Sequence, residues 1–185
     1  MMPIGPLMIE HRLIERMIAV MEMTMKEAED KKEIDPRFIA SFIRFIKDYA
    51  DRCHHGKEED ILFQKLKEKA ISQEHGKMLD ELIQEHKFGR ETTARLVEAN
   101  AKYAKGETGN LSEIVDCIKL LVDFYPEHIK KEDKHFFLPV MEYFTEQEKD
   151  LLLKEGYEFD SSLLQEEYAE MVFNWEKGIE KDREK

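Results

Sequence analysis

Apolar residues recur along this chain with the spacing of amphipathic helices. Near its beginning, Leu7, Ile14, Ile18 and Met25 form one stripe of a helix that runs from about Leu7 to Asp30. Proline and glycine number only 5 and 8, so few positions interrupt the pattern. The pattern therefore predicts a chain of long helices.

Capping signals indicate where the next two helices begin. Asp35 has the position of an N-cap, with Pro36 in the first turn, and the second helix reaches about Ala70. Ser72 is the predicted cap of a third helix that reaches about Lys105. The links between these helices are short, which favours antiparallel neighbours.

The segment KGETGN, residues 105–110, is the clearest loop of the sequence. Asn110 with Glu113 is a variant of the capping box and opens a fourth helix, which is expected to stop within residues 139–144. Four long helices are thus predicted before residue 145.

Two shorter helices are predicted after the fourth. Thr145 and Glu148 have the spacing of a capping box and open a fifth helix, which Gly156 is expected to interrupt. A last helix runs from about Ser162 to Lys181. Nothing in this part of the sequence resembles a second globular domain.

These elements predict an all-α protein. Its core is expected to be an antiparallel up-down-up-down four-helix bundle over residues 1–144, because four long helices are joined by short links. Residues 145–185 form a C-terminal helical extension that packs on the bundle or makes an interface. A chain of 185 residues is long enough to bury a real core.

Composition and charge argue against several classes of protein. The chain is 38% charged and 42% hydrophobic, which is typical of a folded protein rather than a disordered one. With 41 acidic and 29 basic residues its net charge is −12, which argues against binding of nucleic acid. No apolar run approaches the roughly 18–20 residues of a membrane span.

The N-terminal sequence and the cysteines predict a cytoplasmic protein. The stretch MMPIGPLMIEHR contains an acid and a histidine where a signal peptide would be apolar. Cys53 and Cys117 do not make a disulfide framework, and no C-x-x-C motif occurs.

A phrase of histidines and acids occurs twice on the predicted helices. DRCHHGKEEDILF covers residues 51–63, and HIKKEDKHFF covers residues 128–137. In the second phrase His128 and Glu132, four residues apart, share the apolar stripe of the fourth helix. Both side chains are therefore predicted to face the bundle interior.

The first phrase offers two pairs with the same spacing. The apolar stripe of the second helix lies closer to His54 and Glu58 than to His55 and Glu59. Aligning the two phrases leads to the same choice. We therefore predict that His54 and Glu58 face inward, whereas His55 and Glu59 lie on a solvated or helix-packing face.

Two more histidines, His11 in the first helix and His86 in the third, also lie on inner stripes. Counted from the nearest turns, the inward groups differ in height by about one helical turn or less, so they meet in one layer. The predicted layer contains His11, His54, Glu58, His86, His128 and Glu132.

Four imidazoles and two carboxylates in a dry interior need a partner, since an unpaired buried charge is costly. A metal ion supplies that partner, and the mixed nitrogen and oxygen donors favour iron, with manganese or zinc as alternatives. Glu58 and Glu132 lie on different helices and can bridge two ions, together with a hydroxide. A single ion with six protein ligands is the more crowded alternative.

At these positions the sequence resembles the hemerythrin-like, or HHE cation-binding, domain family. The matching motifs PIGPLMIEHRLIERM, HHGKEEDILF, EHKFGR and HIKKEDKHFFLP occur in order and span about residues 3–144. The resemblance implies an antiparallel four-helix bundle with a non-haem di-iron centre. It implies the same six residues as metal ligands.

The sequence departs from the oxygen-carrying hemerythrins in two ways. Those proteins have two histidines one turn apart on the third helix, where the neighbours of His86 at that spacing are Leu82 and Arg90. Their fourth helix places its acid five residues after the histidine, and here Glu132 is four after His128. The predicted site thus has one imidazole fewer, which argues against reversible oxygen carriage.

Residues beside the predicted ligands fall into two sets. Those that stay open as further contacts of the metal are His55, Glu59, Glu15 and Tyr125. Three other acids, Glu10, Glu85 and Glu127, directly precede predicted ligands. Because adjacent helical residues point in different directions, we expect these three in solvent.

The predicted centre suits three functions. The first is binding or sensing of O2, NO or peroxide, or handling of iron; the second is a redox enzyme that reduces peroxide or nitric oxide. The third is a structural bundle with one metal ion or none. No acid–base or nucleophile arrangement independent of the metal stands out, which favours binding over catalysis. The expected partner is a small diatomic ligand or peroxide, with an electron donor and a homodimer through the C-terminal helices as open alternatives, and with no nucleic acid or membrane.

Overall fold

A computed structural model describes residues 2–160 and 162–183. Within these residues it contains six long helices and no strand, so the prediction of an all-α helical bundle is confirmed. The helices are α1 (Ile4–Lys31), α2 (36–67), α3 (Gln73–Tyr103), α4 (111–140), α5 (Glu146–Phe159) and α6 (Ser162–Arg183). None of the helices in the described ranges combines the length and the apolar character needed to cross a membrane.

Three predicted helix starts are confirmed by capping hydrogen bonds. The side chains of Asp35 and Ser72 each accept a hydrogen bond from a backbone N–H in the first turn, at 2.8 and 3.1 Å. Thr145 and Glu148 form the predicted capping box at the start of α5. These bonds are local, so short stretches of sequence were enough to predict them.

Two other local signals differ from the structure, although α4 begins at Leu111 as predicted. The side chain of Asn110 does not cap α4, and its amide donates to the carbonyl of Glu107 instead. Gly156 does not interrupt α5, which continues through it. A glycine inside a helix costs only about 1 kcal/mol relative to alanine, which the surrounding packing offsets.

The helices α1 to α4 surround one interior. Helix α4 packs against α1 and α3, and α2 also contacts both of them. Two apolar clusters fill the interior: one includes Met17, Phe42, Ile118 and Leu121, and the other includes Leu7, Phe63, Leu82 and Phe136. Along each helix the predicted site residues fall between members of the two clusters, so an apolar cluster lies on either side of the polar layer. The alternating direction of the helices stays a prediction.

Helices α2 and α4 depart from regular α-helical geometry beside the site. The segments Phe45–His55, Glu58–Leu62 and Glu132–Phe136 contain π-helical turns, in which an N–H bonds to the carbonyl five residues earlier. Such turns are frequent at functional sites. A π-turn contains more residues than an α-turn, so it changes which neighbouring side chains face the interior.

Helices α5 and α6 lie against the bundle. Leu152 of α5 is buried in one apolar cluster, and Tyr168 of α6 is buried in the other. The hydroxyl of Tyr168 donates to Asp48 of α2 at 2.9 Å. The division of the chain at residue 144, and the pairing of two copies through these helices, stay predictions.

Candidate metal centre

The structure brings the six predicted ligands together in the interior. They come from α1, α2, α3 and α4, and each is at most 2% exposed. They are His11, His54, Glu58, His86, His128 and Glu132. Because each helix contributes at least one of them, the layer forms only when the bundle folds.

The two carboxylates each face imidazoles on two sides. Glu58 Oε1 lies 3.3 Å from His54 Nε2, and its Oε2 lies 3.4 Å from His86 Nε2. Glu132 Oε2 lies 3.2 Å from His11 Nε2, and its Oε1 lies 3.7 Å from His86 Nε2. Glu132 Oε2 also lies 3.4 Å from His128 Nε2, so each of the two carboxylates reaches imidazoles of more than one helix.

His55 is a fifth inward histidine, and its predicted position on a solvated or helix-packing face was wrong. It is 2% exposed, and its ring stacks on that of His86 with centroids 3.9 Å apart. The prediction used about 100° per residue, the rotation of an α-helix. His55 ends the π-helical segment Phe45–His55, where the smaller rotation per residue lets it face inward beside His54.

The donor atoms fall into two groups, within each of which they lie no more than 4.8 Å apart. One group contains His11, His54, Glu58 and Glu132, and the other contains His55, His86 and His128. We call these seven residues the metal layer. His55 of α2 is therefore the fifth imidazole of the site, which α3, with His86 alone, does not provide.

The inward atoms of the metal layer are without hydrogen-bond partners among the described residues. This holds for Nε2 of all five histidines and for both carboxylate oxygens of Glu58 and Glu132. Buried polar atoms in proteins are almost always paired, because an unpaired one loses its hydration without compensation. Convergent, unpaired nitrogen and oxygen donors fit a bound cation, so the metal layer is suited to hold a metal.

Carboxylates hold the outer nitrogens of four of these histidines. The Nδ1 atoms of His11, His54, His86 and His128 are paired with Asp133, Glu10, Glu59 and Glu85 respectively, at 2.7–2.8 Å. We call these four acids the outer carboxylates. Each one reaches across to a histidine of a neighbouring helix: α1 to α2, α2 to α3, α3 to α4, and α4 back to α1. Such partners fix the orientation of the ring and strengthen its inner nitrogen as a metal donor.

Each outer carboxylate is also paired with a cation. The pairs are Glu10 with Lys57, Glu59 with Arg90, Glu85 with Lys131, and Asp133 with Arg12. In each case the cation is on the same helix as the histidine that the acid holds. The bundle thus contains four chains of imidazole, carboxylate and cation around the metal layer.

The positions of Glu10 and Glu85 were wrongly predicted to be in solvent. Glu10 is 2% exposed and Glu85 is partly buried, each against the histidine of the next helix. Glu127 is exposed, as predicted. Each outer carboxylate is adjacent in sequence to a metal-layer residue, because one of two neighbouring side chains points inward and the other sideways. Adjacency alone was not a sufficient signal, because Glu127 directly precedes His128 and is nevertheless exposed.

The sequence also left Glu59, Glu15 and Tyr125 open as further contacts of the metal, and the structure places each of them differently. Glu59 touches the outer nitrogen of His86 and is not part of the metal layer. Glu15 pairs with Arg12 on the surface of α1 at 3.2 Å. Tyr125 is buried and lines a cavity beside His55.

The metal layer has strongly shifted pKa values. Burial and the charge of Glu132 raise the pKa of Glu58 well above its usual value. Burial acts on Glu132 in the same direction, but the facing histidines outweigh it and hold its pKa well below the usual value. Burial and neighbouring His11 lower the pKa of His54 to about 4. Despite burial, adjacent carboxylates raise the pKa of His11 to about 9. Without a cation, the two carboxylates and the imidazoles thus compete for a few buried protons. A divalent cation in the layer would favour ionised carboxylates and neutral imidazoles throughout.

Lys57 is the most deeply buried of the four cations, and its removal should destabilise the protein. It is 4% exposed and pairs with both Glu10 and Asp160, the latter at 2.7 Å. We expect Lys57→Met to lower the free energy of unfolding by about 3 kcal/mol or more, because it removes the buried cation that balances the charges of Glu10 and Asp160. Urea denaturation measures the change.

Lys131 is the matched control for this prediction. It holds Glu85 as Lys57 holds Glu10, but its side chain is 26% exposed and its partner carboxylate is also reached by water. Lys131→Met is expected to cost less than about 1 kcal/mol. Equal losses in the two variants would show that burial of the Lys57 pair contributes nothing.

Comparisons with known proteins identify a family. A model of the hemerythrin HHE cation binding domain matches residues 2–138. No curated protein and no solved structure matches the chain significantly. The matched range contains all seven residues of the metal layer and ends before α5 begins.

Proposed function

Because the chain belongs to the hemerythrin HHE cation-binding domain family, we propose that its metal layer holds two iron ions and serves to bind or sense O2, NO or peroxide. One observation carries the proposal. Two groups of buried, unpaired donor atoms lie side by side, and the carboxylates of Glu58 and Glu132 reach both. Two ions bridged by carboxylates would pair all of these atoms.

The two groups of donors differ in number of imidazoles. His11 and His54 would hold one ion, and His55, His86 and His128 would hold the other, with the two carboxylates shared. Mixed imidazole and carboxylate donors suit iron, with manganese and zinc as alternatives. Bound iron supplies exchangeable coordination and a change of oxidation state. The ion with two imidazoles has fewer protein donors, so the open position for a small ligand is expected there.

The residues around the metal layer support binding more than turnover. Four of the five imidazoles have their outer nitrogens paired with carboxylates, and those carboxylates are paired with cations. These groups orient the rings and are already engaged, so they are poorly placed to carry protons to a substrate. Apolar clusters lie on either side of the layer, and each of its seven residues is at most 2% exposed.

A connection to the C-terminal helices supports a sensing role. Glu10 holds His54, Lys57 holds Glu10, and Asp160 at the end of α5 holds Lys57. A change of charge on an ion held by His54 would alter the charge balance of Glu10, Lys57 and Asp160, and these contacts end at α5. An electron donor as partner belongs to the alternative, a redox enzyme that reduces peroxide or nitric oxide. A cytoplasmic location and pairing through the C-terminal helices are retained as parts of the proposal.

Anaerobic reconstitution with Fe(II) tests the proposal. We expect two ions per chain, and a stable change of the absorption spectrum when O2, NO or peroxide is added. Repeated consumption of the added molecule would favour the redox enzyme, and no spectral change would favour a structural role. The double variant Glu58→Gln and Glu132→Gln should lose both ions, whereas Glu22→Gln, at an exposed position of α1, should keep them.

A further inference from the structure

A cavity of about 460 Å³ lies between α2 and α3 and reaches the metal layer at one residue, His55. Its inner end is formed by the buried rings of His55 and Tyr125. Ala94 and Val97, both exposed, lie at its mouth on α3. The volume is within the range of about 300–1,000 Å³ that is usual for small-molecule sites.

His55 differs from the other four histidines of the metal layer in its outer nitrogen. Each of the others has Nδ1 paired with an outer carboxylate at 2.7–2.8 Å. Neither ring nitrogen of His55 has a hydrogen-bond partner among the described residues, although the ring is 2% exposed. Asp51 Oδ1 is 3.4 Å from Nδ1, which makes it an ionic neighbour without a hydrogen bond. Because Nδ1 lies on the side of Asp51, Nε2 is the ring nitrogen that faces the other donors of the metal layer.

A polar molecule in the cavity would supply the missing partner. In a neutral imidazole one nitrogen donates and the other accepts. Because Nδ1 lies beside the carboxylate of Asp51, the proton is on Nδ1, which must donate it. A hydroxyl oxygen in the cavity accepts that hydrogen bond and donates its own proton to Asp51. One hydroxyl group therefore satisfies both residues, whereas a carbonyl or ether oxygen satisfies only His55.

The charges of the lining favour a neutral molecule. The lining contains two cations, Lys47 and Arg90, and two acids, Asp51 and Glu98. Arg90 Nε donates to Asp51 at 2.7 Å, and Arg90 also binds Glu59. The remaining lining is mainly apolar and includes Ile46. A charged molecule would enter this space without a free counter-charge at the inner end.

We propose that this cavity binds a small neutral alcohol or phenol, with the hydroxyl between His55 and Asp51 and the hydrocarbon body between α2 and α3. An occupant placed in this way touches His55 of the metal layer, so its binding changes the hydrogen bonding and orientation of one imidazole that would hold the metal. That second effect rests on the proposed function. The binding itself does not, because the cavity is lined by the protein alone.

Titration with benzyl alcohol, followed by nuclear magnetic resonance of the ¹⁵N-labelled chain, tests the binding. We expect a Kd on the order of 1 mM for a molecule of this size, with shifts at His55 and along the cavity. Toluene, which has the same ring without the hydroxyl, should bind at least about tenfold more weakly. Benzoate tests the charge and should also bind more weakly. Equal affinity for all three, or no binding of benzyl alcohol, would overturn the proposal.

Two tryptophan variants on α3 localise the site. Ala94→Trp places an indole at the mouth of the cavity and should abolish binding, and Val97→Trp is a second blocking variant. Ala101→Trp is the control, since Ala101 is exposed two turns further along the same helix and does not line the cavity. If Ala94→Trp and Val97→Trp bind benzyl alcohol as well as Ala101→Trp does, the cavity is not the site.

Measurements with and without metal separate this inference from the proposed function. The titration is made first on chelator-treated protein and then on cobalt-loaded protein, whose visible spectrum reports on the ligands of the ion. Binding to the chelator-treated chain together with failure to load metal would sustain the cavity site and contradict the proposed function. Normal loading of metal with no binding of benzyl alcohol would contradict the cavity site alone.

Discussion

Treatment of the metal-loaded protein with a chelator is expected to lower its Tm by roughly 15–30 °C. A ligand present at about a thousand times its Kd stabilises the folded state by about 4 kcal/mol, and two ions contribute about twice that. For a chain of this size each kcal/mol changes Tm by about 2–4 °C. The physical reason is that unpaired buried donors converge on one layer. A bound cation pairs these donors, and its removal by a chelator leaves their charges facing one another. Thermal unfolding followed by circular dichroism measures the difference.

Two glutamate variants control for effects of the chelator that do not involve the metal layer. In the double variant Glu58→Gln and Glu132→Gln the amides cannot bridge ions, so the chelator should change Tm by less than about 2 °C. Glu22→Gln removes an exposed carboxylate and should respond as the unaltered chain does. A Tm that is the same with and without chelator in the unaltered chain would mean that no metal stabilises this fold.

If the metal layer holds two ions as proposed, the replacement of His55 by leucine is expected to remove one of them and leave the other. The group of His55, His86 and His128 then has two imidazoles, and the affinity of its ion should fall at least about 100-fold. Leucine has a similar volume and no polar atoms, so the chelator-treated variant should be more stable than the unaltered chain by about 1–3 kcal/mol. Metal analysis after dialysis and urea denaturation give the two results independently.

His135→Leu is the control for this substitution. His135 is exposed and lies on α4 only one turn beyond Glu132, so it changes the number of histidines near the site without entering the metal layer. It should retain two ions and show no large change of stability. If His55→Leu also retains both ions with unaltered affinity, then the ring of His55 is a packing residue of the bundle.

The helices and most of the metal layer could be predicted from the sequence. Apolar residues repeat with the period of a helix, and that repeat identifies the inner face without any knowledge of the neighbouring helix. His11, His86 and His128 lie on such inner faces, and the structure buries all three. The caps at Asp35 and Ser72 were equally accessible, because each depends on a hydrogen bond within one turn.

The position of His55 could not be predicted in the same way. The choice of His54 over His55 assumed that every turn of α2 contains the same number of residues, and the π-helical segment that contains both histidines does not. Nothing in the sequence of Phe45–His55 marks such a turn. It is retained where packing and ligation offset the poorer hydrogen bonds, which depends on the three other helices.

By itself the sequence determined the helices, the caps at Asp35, Ser72 and Thr145, and which face of each helix is apolar, because these follow from interactions between residues a few positions apart. It also placed six polar groups on those inner faces, and thereby the kind of chemistry that the interior can support. Only the tertiary structure decided that Glu10, Glu59, Glu85 and Asp133 hold histidines of neighbouring helices, and that His55 completes the layer. Those contacts join residues far apart in the chain, and they depend on the rotation and height of one helix relative to the next.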